Sequence, residues 1–312
     1  MAMPEWFHEL AAEVRNWGRW GDDDEIGTIN LIDVDARRRG AASVVSGRAF
    51  SLALPLHADG IQIGTMEGRI NPVHTMVAVN TVMPGHESDF YMSDDQIHMA
   101  TQAATHWDAL AHVSYNGTIY NGFPASLITA EGGAGRCGIE KITSMTSRGV
   151  LLDIARLKGV DCLEGSYAIT GDDLDAACEM ARVKVEPGDI VLLRTGKMGP
   201  TLGQNPPDKF GYLYPTSGPS SKSVKWFRAH DVAALATDTY TFEVYPCEDP
   251  AAHLPIHYLH LVDMGMTQGQ NFVLDALAAD CAEDGQYTFF LEASPQPILG
   301  GTGSMVNPVA VK

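Results

Sequence analysis

Cysteine is scarce. The 312 residues contain five, Cys137, Cys162, Cys178, Cys247 and Cys281, scattered and odd in number. None belongs to a Cys-x-x-Cys pair, so the pattern reads as reduced thiols of a cytoplasmic protein, and no local signature marks a catalytic cysteine. Basic residues are also in short supply. Lys and Arg total 21 against 39 Asp and Glu, a formal net charge of −18. Nucleic acid is thereby disfavoured as a partner, since phosphate binding needs clustered Lys and Arg. Acidity of this kind otherwise favours solubility and says little about substrate. No run of about 18 apolar residues exists to span a membrane, and the first residues lack the apolar stretch of a signal peptide. There is no internal repeat, charge block or low-complexity linker. Glu131-Gly-Gly-Ala-Gly135 lacks the Lys-Ser end of a phosphate loop, which argues against a nucleotide site. The absence of a Gly-x-Ser-x-Gly elbow argues against a serine hydrolase.

What is present fits a soluble enzyme. Hydrophobic residues make up 45% and charged ones 19% of a chain long enough to bury a large core. Short apolar runs alternate with turn formers. Strands are predicted at 49–56, 75–82, 150–154, 190–194, 232–236 and 287–291 from their Val, Leu and aromatic content. Helices are predicted at 174–183, 220–230 and 274–284. The first follows Thr170-Gly-Asp-Asp173, which supplies a cap and an acidic first turn; the last ends at Gly285. Val185-Glu-Pro-Gly-Asp189 reads as a tight turn feeding a buried strand. Tyr115-Asn116-Gly117-Thr118 reads as a hairpin turn. The expected architecture is α/β: one domain over residues 1–312, with a central mixed β-sheet flanked by helices. The Pro-rich stretch 200–219 is a candidate lid or dimer-contact loop, or a plain surface excursion.

The most informative segment is Gln102-Ala-Ala-Thr-His106-Trp-Asp108-Ala-Leu-Ala-His112. An amide, two imidazoles and a carboxylate stand in eleven residues, with only Thr105 polar between them. On a strand, His106 and Asp108 share a face about 6–7 Å apart and can converge on one metal. Gln102 and His106 would be roughly 13 Å apart on that strand, too far for one ion. Gln102 joins them only if the chain bends between Ala103 and Thr105, as in a helical turn. A kinked segment is therefore expected, with His106 and Asp108 as the firm pair. Spacing alone is also met by an ordinary hydrogen-bonded His-x-Asp pair. His98, four residues before Gln102, is either a further ligand or a plain strand residue.

The segment resembles the motif of the cyclase family of metal-dependent hydrolases, which includes bacterial kynurenine formamidase and isatin hydrolase. That motif is His-x-Gly-Thr-His-x-Asp-x-Pro-x-His. The resemblance extends to residues 16–30, to 300–308, and to the stretch from His257 through Gln270 to Asp275. It implies the swivelling β/β/α fold of that family, a divalent metal, Mn or Zn, and a homodimer. Position by position it implies that His106 and Asp108 are metal ligands and that His112 is the catalytic proton carrier. His257 matches a ligand of a second metal site. Gln102 and Gln270 stand where the family has His and Glu. A neutral amide oxygen suits a harder ion such as Mn²⁺ or Mg²⁺. Losing the Glu removes charge that would offset a second cation, so one metal is expected rather than two.

The expected activity is hydrolysis of a C–N amide or lactam bond, or a related lactone, in a small substrate by metal-activated water. The alternatives are a cyclase or dehydratase acting on a natural-product acid, and a non-catalytic small-molecule binding protein. Around the motif, Asp238 is expected to support a ligand histidine, and Glu243 either to orient one or to face solvent. His253 and His260 flank His257, and one of such a set is usually structural. Trp107 and Tyr115 are read as either substrate-stacking or core residues.

Overall fold

The computed structural model describes residues 3–85 and 90–312. Its centre is a nine-stranded mixed sheet. Four neighbouring strands, Thr146–Asp153, Ile190–Arg194, Ala234–Thr237 and Thr267–Gln270, run parallel. Antiparallel strands extend both sides. Thr288–Glu292, Val309–Val311 and Ala49–Ser51 follow beyond Thr146–Asp153. His106–Asp108 and then Gly303–Met305 follow beyond Thr267–Gln270.

The parallel block is covered on both faces, which is why residues 150–152, 190–193 and 234–236 read as continuous apolar runs rather than alternating ones. Leu151, Ile190, Leu192, Ala234 and Ala236 point into one core with Trp107, Phe272 and Phe289. Val150, Leu152, Val191, Leu193 and Leu235 point into the other with Phe7, Leu174 and Phe227. Each such Val, Leu or Ile side chain, fully buried, contributes about 1.5–3 kcal/mol.

Helices pack on these faces. Gly171–Ala181 starts at Thr170, whose hydroxyl accepts from the Asp173 amide while Asp173 accepts from the Thr170 amide, a complete capping box. Leu174, Ala177 and Ala181 are its buried stripe. Asp275–Asp284 ends at Gly285 in the left-handed conformation. The predicted helix at 220–230 is a short 3₁₀ turn, Ser221–Ser223, leading into Val224–Ala229. The Asn116–Gly117 turn forms as expected, both residues having positive φ and Tyr115 and Thr118 exchanging backbone hydrogen bonds. No helix among the described residues is long and apolar enough to cross a membrane.

Several strands lie outside the sequence expectation. Thr267-Gln-Gly-Gln270 is polar and has no strand signature, yet it is fully buried in the sheet beside His106–Asp108. The strand predicted at 75–82 runs over Val73–Val82, and of its partner Tyr91–His98 only His98 is read from the sequence as a possible strand residue. The two form a hairpin that stands off the main sheet with nearly every residue exposed.

Gly269 shows how tightly the sheet is packed near the site. A Cβ there would lie 2.7 Å from both the Ala236 Cβ and the Trp107 ring, and 2.8 Å from Phe272. We therefore expect Gly269→Ala to cost about 1–3 kcal/mol through overpacking. Chemical denaturation measures it, and an unchanged midpoint would show that the strands part without strain.

Candidate metal and catalytic site

The site lies where the parallel strands end. Gln270 closes its strand directly opposite His106, and Met305 flanks His106 on the other side. Such strand ends are common sites of catalysis in α/β sheets. The segment before His106 is bent through residues 101–105 and becomes extended only at His106. Four polar contacts hold the bend. Gln62 donates to the Ala103 carbonyl (2.9 Å) and Asn271 to the Ala104 carbonyl (3.0 Å). The Thr105 hydroxyl donates to the Asn271 carbonyl (2.6 Å) and accepts from the Leu54 amide (2.8 Å). After Asp108 a turn, with the His112 amide donating to Ala109 (2.9 Å), swings His112 back toward the strand it has left.

His106 and Asp108 are buried and face each other. His106 Nδ1 donates to the Ala104 carbonyl (2.8 Å), which leaves Nε2 with a lone pair in the neutral ring. That lone pair lies 3.5 Å from Asp108 Oδ1. Neither atom has a hydrogen-bond partner. His112 Nε2 lies 3.7 Å from the same oxygen. Two acceptors facing one another out of water repel unless a proton or cation sits between them. Burial pushes the Asp108 carboxyl up, but the His112, His106 and His257 rings more than offset this and hold it well below the usual range. It is therefore an anion. His112 moves down from the ordinary histidine value, first because it is buried and despite Asp108.

The other oxygen of Asp108 is satisfied. Gln270 Nε2 donates to Oδ2 (2.8 Å), and the same nitrogen lies 3.4 Å from His257 Nε2. His257 is fixed from behind by Glu243. Its Nδ1 donates to Glu243 Oε1 (2.6 Å), while Glu243 also accepts from the Ile256 and His257 amides (3.0 and 2.9 Å). Burial would lower the His257 pKa, but Glu243 and Asp108 raise it overall.

The structure thus gathers His106, Asp108, His112, Gln270 and His257 into one cluster. Gln102 is buried next to it. Its Oε1 accepts from the Thr101 hydroxyl (2.7 Å), and its Nε2 occupies the space above Gly303, 2.5 Å from where a Cβ would be. No group of three or more His, Cys, Asp or Glu side chains among the described residues is arranged as a ready metal cage. The donor set here is a mixed one of imidazole, carboxylate and amide. Its two unpartnered atoms, His106 Nε2 and Asp108 Oδ1, are a pair that fits a divalent cation such as Mn²⁺ or Zn²⁺.

One role differs from the sequence expectation, that of Asp238. Glu243, not Asp238, supports a histidine of the cluster. Asp238 is buried, but it accepts from the Thr195 amide and hydroxyl and the Gly196 amide (2.9, 2.7 and 2.8 Å). It ties a neighbouring strand end, and burial raises its pKa to about 6. His260 is a core residue beside Phe227 and Phe242, pushed down to about 3 by burial. His253 is exposed, and His98 is an exposed strand residue. Trp107 is fully buried and donates to the Ala293 carbonyl, and the Tyr115 hydroxyl is bound to Asp263. Both aromatics are structural. The stretch 200–219 folds into helices and turns in which Tyr212 and Leu213 are buried, and Leu202, Pro207 and Lys209 border a pocket.

Sequence reasoning missed Arg69. It is partly buried on the loop before the hairpin, and its charge works against protonation of His112 and His257, although the His257 pKa is raised overall. No motif surrounds it to announce that position.

Comparison with known proteins supports the fold and the family. No curated protein matches the sequence. A crystal structure described as a novel cyclase is 37% identical, with full coverage of both chains and a TM-score of 0.88. Isatin hydrolase A from Labrenzia aggregata, bound to benzyl benzoate, shares the fold at 17% identity and a TM-score of 0.61, over 86% of this chain and 94% of its own. Isatin hydrolase A from Ralstonia solanacearum does so at 19% and 0.59, over 84% and 91%. The family model described as "Putative cyclase" matches residues 19–244. The chain belongs to the cyclase family.

Proposed function

We propose that the chain is a divalent-metal-dependent hydrolase acting on the C–N bond of a small amide or lactam, or on a related lactone. The observation that carries this reading is the buried, unpartnered pair His106 Nε2 and Asp108 Oδ1, with a neutral imidazole at 3.7 Å. His106 and Asp108 would hold the metal, Gln102 is the candidate third donor, and His257 and Gln270 border the far side of Asp108. When bound, Mn²⁺ or Zn²⁺ would polarise the carbonyl and make water acidic enough to attack near neutral pH. His112 accepts the proton released in the attack and returns it to the leaving nitrogen or oxygen. It suits that task because its lowered pKa keeps it unprotonated at pH 7. Glu243 fixes the tautomer and orientation of His257 by accepting the hydrogen bond from its Nδ1–H. The isatin hydrolases named above share the fold with this chain, and lactam cleavage comes to it by that likeness. The scattered cysteines favour a cytoplasmic setting.

We also propose that two copies pair through the exposed hairpin. Val77 and Val79 are 59% and 62% exposed, and Tyr91 is 56% exposed on the opposing strand. An uncovered two-stranded hairpin is marginal in water, so an apolar one needs a cover. The strand of Tyr91 runs directly into the site segment, so a partner copy seated there would brace it.

Three outcomes follow. His112→Ala should cut turnover of an accepted amide by about 10²–10⁴-fold and leave the metal content intact; loss of the metal would make His112 a ligand instead. The acid limb of kcat/KM in the wild type should lie below the ordinary histidine value of about 6.5, because the lowered pKa keeps the base available to more acid pH. A limb at or above that value would remove His112 as the base. Sedimentation should give twice the 33.6 kDa of one chain, and Val77→Asp with Val79→Asp should give one chain with its fold retained. A wild-type mass of one chain would contradict the pairing.

A further inference from the structure

An apolar pocket of about 610 Å³ lies against the bend before His106. Leu54 and Ile61 line it from one segment, Leu202 and Pro207 from another, and Ala103 and Ala104 from the bend itself. Its volume falls within the roughly 300–1,000 Å³ of ordinary small-molecule sites. His106, Asp108, His112, His257 and Gln270 are not among its lining residues, so it is a place of its own beside the cluster. Two full charges reach it, and they cancel. The Lys209 ammonium donates to the Asp59 carbonyl (3.1 Å) and to the Asp59 carboxylate. The Asp59 side chain is 83% exposed, which puts the pair at the rim. What the pocket offers a ligand is therefore apolar surface and a charge pair already compensated, a poor setting for burying an ion.

The walls are tied to the bend that aims His106. Gln62, next to Ile61, donates to the Ala103 carbonyl (2.9 Å). The Tyr212 hydroxyl, on the short helix that begins at Lys209, donates to Asn271 Oδ1 (2.9 Å), and Asn271 Nδ2 donates to the Ala104 carbonyl (3.0 Å). That same carbonyl accepts from His106 Nδ1 (2.8 Å). Leu54, Ile61 and Leu202 pack with Tyr212 in one apolar cluster.

We propose that this pocket binds a small uncharged apolar molecule and that its occupant braces the bend carrying His106. An occupant adds contacts to Ala103 and Ala104, so local opening of the bend must first release it. The proposal does not depend on the hydrolase reading, and its test needs neither metal nor turnover. The probe is indole, titrated calorimetrically into the full chain as purified. Leu202→Trp fills the pocket, Leu202→Ala removes part of its wall, and Leu299→Trp, at a position 86% exposed, is the surface control.

One indole should bind per chain in the wild type and in Leu299→Trp. Binding should be at least about tenfold weaker in Leu202→Trp, with Leu202→Ala in between. At about ten times its Kd, indole should slow hydrogen exchange over residues 100–106 by about tenfold, while the helix Asp275–Asp284 slows less. No binding to the wild type, undiminished binding in both Leu202 variants, or exchange over 100–106 that indole leaves unaltered would overturn the proposal. Indole-3-carboxylate bound as tightly as indole, and lost equally in Leu202→Trp, would overturn the uncharged class. Indole binding with slowed exchange, in a protein that hydrolyses no amide or lactam, would leave the pocket standing and remove the hydrolase. Hydrolysis without indole binding would do the reverse.

Discussion

One carboxylate sets the terms for the site. Asp108 is fully buried, and the His112, His106 and His257 rings draw its carboxyl below the usual range despite that burial. Of its two oxygens, one is satisfied by Gln270 and the other faces the free lone pair of His106. An arrangement of that kind costs stability in isolation and persists only where the surrounding structure fixes it. The surroundings do fix it. Asn271 and Gln62 clamp the bend before His106, the sheet holds His106–Asp108 between two neighbours, and Glu243 locks His257 from behind. The buried apolar mass on both faces of the parallel block supplies the stability against which that cost is set.

The polar strand Thr267–Gln270 links the fold to the chemistry. It is buried on one flank by the hydrophobic strand Ala234–Thr237 and on the other by the site strand. Gly269 lets the aromatic rings of Trp107 and Phe272 come close, while Gln270 on the same strand reaches Asp108. In this chain a glutamine bridges Asp108 and His257 by donating hydrogen bonds. Where a carboxylate would add a negative charge, the amide adds none.

Much of this was legible beforehand, and the reasons are physical. Three of the four parallel strands announced themselves because burial on both faces favours unbroken Val, Leu and Ile, as in Ile190–Arg194. Thr170 and Gly285 marked helix ends because caps need particular side chains and backbone angles. The bend before His106 followed from the length of an extended strand, and Asn116-Gly117 from its tolerance of positive φ. Thr267–Gln270 escaped notice because its place in the sheet comes from its neighbours rather than its own propensity. Gln62 is joined to the site only through space, across 41 residues of chain to Ala103, and Glu243, named beforehand as one of two possible histidine supports, reaches His257 across 14. No spacing rule reaches that far.

The central claim is that the facing atoms of His106 and Asp108 receive a metal ion. Elemental mass spectrometry on protein purified without added metal, with Asp108→Ala prepared in parallel, tests it most directly. The account predicts about one Mn or Zn per chain in the wild type and none in the variant. A wild type that holds no metal even after incubation with Mn²⁺ and Zn²⁺ would contradict it.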